Sequence, residues 1–157
     1  MNYWLMKSEP STFGIDHLAK ARNRTSAWDG VRNFQARNYM REMQVGDLAF
    51  FYHSSCEVPG IAGIVSIARE AYPDQTAFDA KDDHYDPDSD PDNPRWYAVD
   101  VKLEEKYAKV LTLEELRAHA NGKLSGMVLL KRGNRLSITP VTKTEWMFIT
   151  SLARAQR

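Results

Sequence analysis

Apolar and polar side chains alternate from Tyr3 to Ser8, with Tyr3, Leu5 and Lys7 set against Trp4, Met6 and Ser8, which predicts an opening strand stopped by Pro10. Asp16 stands where a carboxylate would accept a backbone N–H at the start of a short helix running through Ala21. From Asn33 to Met43 the apolar set Ala36, Tyr39, Met40 and Met43 recurs at helical spacing and leaves Arg37 and Arg41 as a basic outer stripe. After a Gly46-Asp47 turn, Leu48 to Ser54 is apolar on both faces, as a strand in the interior of a sheet must be. Ile61 to Arg69 predicts a second buried strand, antiparallel to the first because the connection is short. Gly60 and Gly63 there predict bending or close approach of another backbone. Trp96 to Leu103 alternates as a half-buried strand, and Leu136 to Val141 gives a short one ended by Pro140. Thr112-Leu-Glu-Glu115 and Thr142-Lys-Thr-Glu145 are capping boxes. The first opens a helix ending at Asn121-Gly122, the second a helix that turns Trp146, Ile149 and Ala153 inward. Strands and helices do not alternate regularly, so the expected fold is one α+β domain over residues 1–157, built on a curved mixed sheet or small barrel.

Composition narrows the function classes. The chain has 157 residues, 43% of them hydrophobic, enough for a single core and too apolar for a disordered polymer. No uncharged run approaches the ~18 residues of a membrane span, and the N-terminus lacks the pattern of an export signal, so a cytoplasmic protein is expected. A single cysteine, Cys56, rules out an internal disulfide framework and any multi-cysteine zinc site. The 21 basic and 21 acidic residues cancel overall but are segregated. Glu70 to Pro94 holds nine acids and one base, whereas Lys20 to Arg41 holds six bases and one acid and Arg117 to Lys143 six bases and no acid. A near-neutral pI of 6.9 therefore leaves a polyanionic partner open, with a set of solvated faces as the plainer reading.

Candidate chemistry is thin in the catalytic classes. His53 and Cys56 are an odd number of positions apart on an extended segment and point to opposite faces, which favours an incidental thiol over a nucleophile pair. The run from Asp86 to Asp90 begins like a calcium loop, but Pro91 and Tyr97 occupy its sixth and twelfth positions instead of Gly and Glu. Pro73-Asp74 followed by Asp79-Ala-Lys81 has the residue order of a metal-dependent nuclease, compressed into an acid-rich loop where a chance match is the better explanation. More suggestive is Trp28, an indole in the polar segment Ser26 to Asn33 with no periodic apolar partner. Such a ring serves either as a platform for a nucleic-acid base or as packing over a sheet, with Arg32 and Asn33 capping the next helix. Lys7-Ser8 and Tyr52-His53-Ser54, at two strand ends, supply donors and acceptors for a ring edge.

Six segments in order, WLMKSEP (Trp4 to Pro10), WDGVRN (Trp28 to Asn33), GDLAFFYHS (Gly46 to Ser54), PGIAGIV (Pro59 to Val65), YDPDSDPDNPRW (Tyr85 to Trp96) and LSITPVTKTEW (Leu136 to Trp146), resemble the EVE domain family. The resemblance implies a PUA-like fold related to ASCH and YTH domains and a role in recognising modified cytosines in DNA. Lys7-Ser8 and Trp28 are similar in placement to the strand end and cage tryptophan of YTH domains, and His84 stands where this family often has tyrosine. The reading is a non-catalytic module that takes a flipped, modified base into a pocket of Lys7, Ser8, Trp28, Asn33, Tyr52 and His53. Phosphates would be held by Arg32, Arg37 and Arg41, with Lys131, Arg132 and Arg135 as a second patch, while the acidic loop repels the backbone from one side. The expected partner is DNA or RNA carrying a modified base, with no cofactor, no metal and no membrane, and the protein a monomer or weak homodimer. A metal-dependent nuclease and a binder of small nucleotide-like ligands are the alternatives.

Overall fold

The computed structural model describes residues 1–156. Six strands, β1 (Tyr3–Ser8), β2 (Thr25–Trp28), β3 (Leu48–His53), β4 (Gly60–Pro73), β5 (Tyr97–Thr112) and β6 (Ile138–Val141), form one sheet in the order β2-β5-β4-β3-β1-β6. β1 runs parallel to β3 and the other pairings are antiparallel. Helices α1 (Pro10–Phe13), α2 (Ile15–Lys20), α3 (Phe34–Glu42), α4 (Leu113–Arg117) and α5 (Lys143–Ala155) flank it. The sheet is mixed and curved as expected, but among the described residues it stays open, with β2 and β6 as edges, so it does not close into a barrel.

Curvature comes from irregular pairing. The β3–β4 register shifts once and the β4–β5 register four times, each shift bending the strands and turning some side chains to the other face. Gly60 and Gly63 are required at these bends: a Cβ would lie 2.3 Å from the Leu111 carbonyl oxygen at the first and 2.1 Å from that of Glu105 at the second. The close backbone approach expected of both positions is therefore present.

Because the sheet is covered on both sides, two cores result. One joins Trp4, Met6, Phe51 and Trp28 to Leu18 of α2 and Ala36 and Met40 of α3. The other joins Leu5, Phe50 and Tyr52 to Leu116 of α4 and Trp146 and Ile149 of α5. Both capping boxes form as expected, with each threonine hydroxyl accepting from the glutamate amide and each glutamate carboxylate accepting from the threonine amide.

The local differences have local causes. Pro10 starts α1, where its fixed φ suits a first helical position, as well as ending the strand. Asp16 is inside α2, not at its cap. Gly14 occupies the cap, the amides of Gly14 and Ile15 donate to the His17 and His53 imidazoles, and Asp16 instead pairs with Lys106 of β5. Pro140 lies within β6, tolerated because that strand is an edge. α4 stops at Arg117, before the expected Asn121-Gly122 end, and β5 continues past Leu103 as far as Thr112. The segment before Trp28 is an edge strand, β2, rather than a purely irregular connection.

Candidate functional site

Trp28 closes β2, and its ring meets Phe51 edge-to-face at 5.3 Å and Phe13 at 6.2 Å. Only 6% of the residue is exposed, so it is a packed wall and not a free-standing platform. That wall borders a cavity of about 530 Å³. The end of β1, Glu9, then Thr12 and Phe13 of α1, Ser26 and Ala27 of β2, the turn from Asp29 to Arg32, His84 and Ser137 complete its lining.

The structure separates the expected pocket residues. Strand alternation and the pairing of Lys7 with Tyr52 and Ser8 with His53 put the two pairs on opposite faces of the sheet. Ser8 is on the Trp28 side. Its hydroxyl donates to the Phe13 carbonyl at 2.7 Å, which leaves its oxygen free to accept. Lys7 borders the cavity, but its ammonium lies 5.9 Å above the Tyr52 ring, and burial lowers its pKa. Tyr52 belongs to the other core and is outside the cavity, with its phenol pKa raised by burial. His53 is also not a cavity residue: its Nε2 accepts from the Ile15 amide at 3.1 Å, a helix-start donor that would otherwise be orphaned. Asn33 is occupied as the cap of α3, its Oδ1 accepting from the Ala36 amide at 2.9 Å. Tyr52, His53 and Asn33 thus lie outside the cavity lining in contacts within the fold, and of the expected set Lys7, Ser8 and Trp28 line the cavity.

The His53 arrangement carries a pH dependence. Burial lowers its pKa below the ordinary 6.5, with the charge of Asp16 opposing. A depressed imidazole pKa means the unfolded chain binds the proton first, so stability is full above about pH 6.5 and falls as pH drops below it. Denaturant titrations at pH 7.5 and 5.5 should show this loss, and His53→Gln, which has no group titrating there, should reduce it.

The basic residues also divide. All five N–H groups of Arg32 are used inside the protein, donating to Asp74, Thr76, the Val31 carbonyl and, twice, the His84 carbonyl. Arg32 is therefore a strut that fixes the acidic loop across the cavity mouth, with nothing left for a phosphate. Arg37 donates to the Arg95 carbonyl and to Asn38, and Arg41 lies over the Tyr97 ring. Both line a second cavity, of about 430 Å³, together with Asp88 and Asp90, whose charge opposes a phosphate. Lys131, Arg132 and Arg135, in contrast, are exposed. Arg135 precedes Ser137 of the cavity lining by two residues, and on the opposite margin exposed Arg24 precedes Ser26 by two.

The acidic loop builds the site instead of only repelling a backbone. Asp74, 1% exposed, accepts from the Gly30 amide (2.8 Å), Arg32 (3.0 Å), the Thr76 amide (2.9 Å) and the Thr76 hydroxyl (2.6 Å). Burial raises its pKa, but these hydrogen bonds outweigh that and hold it below the ordinary carboxylate value. Asp86 accepts from the Trp96 indole at 2.7 Å and from Arg95 at 3.3 Å, while Asp82 accepts from the His84 amide and pairs with its ring. The filled oxygens of Asp74 also remove the first carboxylate of the nuclease-like order, and Asp79 accepts from the Lys81 amide.

Gly30, at φ +76°, closes this construction: a Cβ there would lie 2.7 Å from the His84 ring. Phe13, Asp29 and Gly30 line the cavity and Asp74 braces it through Gly30 and Arg32, positions that periodicity did not mark. The Asp-Gly pair after Trp28 was the one local signal, since it announces a turn with positive φ.

Comparison with known proteins agrees with this architecture. Thymocyte nuclear protein 1 of Danio rerio is 49% identical over 95% of this chain and 71% of its own. A crystal structure of a Pseudomonas putida protein matches at 48% identity and TM-score 0.91, over 96% of this chain and 99% of that one. The crystal structure of human THYN1 protein in complex with 5-methylcytosine containing DNA matches at 45% identity and TM-score 0.93, over 98% of both chains. The EVE domain family model matches residues 2–152, nearly the whole length over which the sheet, its two cores and the cavity are built. With the family model and these relatives in agreement, the chain belongs to the EVE domain family.

Proposed function

We propose that this protein is a binding module that takes a 5-methylcytosine, swung out of a DNA strand, into the cavity beside Trp28, with no covalent step. The observation that carries the reading is the cavity itself, about 530 Å³ with aromatic walls from Trp28 and Phe13 and a polar margin, in a chain so similar to the human protein solved with 5-methylcytosine containing DNA. That volume lies in the ordinary range for a small-ligand pocket, roughly 300–1,000 Å³. A base lifted from its stack exposes flat faces and a hydrogen-bonding edge, which rings and polar groups in such a space receive together. No helix among the described residues is long and apolar enough to cross a membrane. A cytoplasmic location fits where the DNA bound lies in the cytoplasm, and the name of the vertebrate relatives points to the nucleus for those proteins.

Arg24 and Arg135, on opposite margins, are the residues we assign to the flanking phosphates, with Lys131 and Arg132 behind them. Each phosphate contact releases condensed counterions, so affinity should fall as salt rises. The test is a titration of oligonucleotides carrying cytosine or 5-methylcytosine, in DNA and in RNA, at several salt concentrations. Preference for 5-methylcytosine in DNA is expected, and Arg24→Ala and Arg135→Ala should each reduce the slope of log affinity against log salt by about 0.9 on a duplex. Equal affinity for modified and unmodified cytosine overturns the reading. Preference for the base in RNA moves the partner to RNA, and saturable binding of the free nucleoside with no salt slope favours a small-ligand pocket.

A further inference from the structure

Two carboxylates line the Trp28 cavity, Glu9 and Asp29. Glu9 sits at the cap of α1 and is exposed. Asp29 follows Trp28 directly, between the aromatic wall and Gly30, so its backbone is fixed on both sides: Trp28 by the Phe13 and Phe51 rings, Gly30 by the hydrogen bond to Asp74. Among the described residues no other residue donates a hydrogen bond to the Asp29 carboxylate and no cation pairs with it, unlike Asp74, Asp82 and Asp86 nearby. Although the residue as a whole is exposed, its carboxyl is hemmed in enough that desolvation, then the charges of Asp74 and Asp82, raise its pKa, with His84 opposing. A partly desolvated carboxylate whose one donor among the described residues is its own backbone amide keeps unfilled acceptor capacity, and a ligand that supplies an N–H fills it.

From this placement we infer that Asp29 sets the identity of the base in the cavity, its carboxylate accepting a hydrogen from the exocyclic N4 amino group of cytosine, so that thymine is refused. The inference rests on the proposed base-binding role of the cavity. Cytosine carries an amino donor at C4, and a carboxylate is its natural acceptor. Thymine carries a carbonyl oxygen there, which would meet the carboxylate lone pairs and leave both groups without a donor. Thymine and 5-methylcytosine share the same methyl group, so aromatic walls that accommodate the methyl cannot tell the two apart. Only a polar group reading the edge separates them, and a site built around a required donor rejects the analogue that lacks it far more strongly than a fit to an added methyl does.

The experiment compares single-stranded oligonucleotides with 5-methylcytosine, cytosine or thymine at one position, which avoids the readier flipping of a mismatched base from a duplex. Wild type should prefer 5-methylcytosine over thymine by about tenfold or more. Asp29→Asn, whose amide can turn either an oxygen or an N–H to the base, should bring the two within about twofold while keeping preference for 5-methylcytosine over cytosine. The thermal midpoint of this variant, at an exposed position whose carboxylate receives no hydrogen bond from another residue, should be no lower than that of wild type and so separates misfolding from loss of selection. If wild type does not distinguish 5-methylcytosine from cytosine, the base-binding role itself fails. If it does, and Asp29→Asn retains tenfold rejection of thymine, or Glu9→Gln erases it instead, the assignment to Asp29 is overturned.

Discussion

Trp28→Ala is expected to destabilise the fold by about 3–5 kcal/mol, the range for truncating a buried tryptophan, before any effect on binding is read. The ring is 6% exposed, wedged against Phe51 and Phe13, and part of the core that includes Ala36, Met40 and Val99. Removing it leaves a void that would merge with the 530 Å³ cavity and fill with water, exposing Phe51 from beneath. Urea unfolding followed by far-UV circular dichroism measures this directly. A midpoint shift with an unchanged slope attributes the loss to the native packing. Because the alanine variant confounds folding with recognition, Trp28→Phe is the better probe of the site. It keeps a flat ring and should cost roughly 1–2 kcal/mol of stability. Base affinity should drop within the range of a partly lost stack, about 1–3 kcal/mol, while the preference for the methylated base persists in weakened form. A Trp28→Ala protein within 1 kcal/mol of wild type would show that the ring is not the wall described.

Short-range order made much of the fold legible and long-range contacts made the site illegible. Alternation alone places Tyr3, Leu5 and Lys7 opposite Trp4, Met6 and Ser8, so the division of Lys7 from Ser8 was present in the sequence. Both nonetheless line one cavity, Lys7 and Ser8 being the last two residues of β1. The same period puts Tyr52 and His53 on opposite sides. Glycines 60 and 63, the two capping boxes and the inward set on α3 depend on neighbours within a few positions, and they appear where local chemistry requires them.

Arg32 is the opposite case. Its partners Asp74, Thr76 and His84 are 42 to 52 residues away, and nothing in the pattern around Arg32 distinguishes a strut from a phosphate ligand. The acidic run was likewise readable as charge but not as architecture, because a carboxylate turned toward a buried amide and one turned toward water have the same letter. β5 extended further than expected because its outer half alternates around bulges, which break the period-2 signal without ending the strand.

Asp74 concentrates that long-range information, and Asp74→Ala should cost about 3–5 kcal/mol, the range for removing one member of a buried ion pair. Four donors lose their acceptor at once, two of them backbone amides, and the Arg32 guanidinium remains largely buried without its carboxylate. The loss should extend to recognition, since Asp74 and Arg32 tie the Gly30 amide to the His84 carbonyl, and both residues line the cavity. A double-mutant cycle with Arg32→Ala tests the link. The two side chains share one network, so their effects should be non-additive by roughly 0.5–3 kcal/mol, with the double variant less damaged than the sum. Acid should mimic the substitution. The carboxyl pKa is held below 3.8, so its stabilising contribution is complete above that value and is lost as pH falls through the lower folded value, with Asp74→Ala losing less stability than wild type over the same interval. Additive single effects, or a variant that unfolds in acid like wild type, would place the anchor of the cavity elsewhere than on this pair.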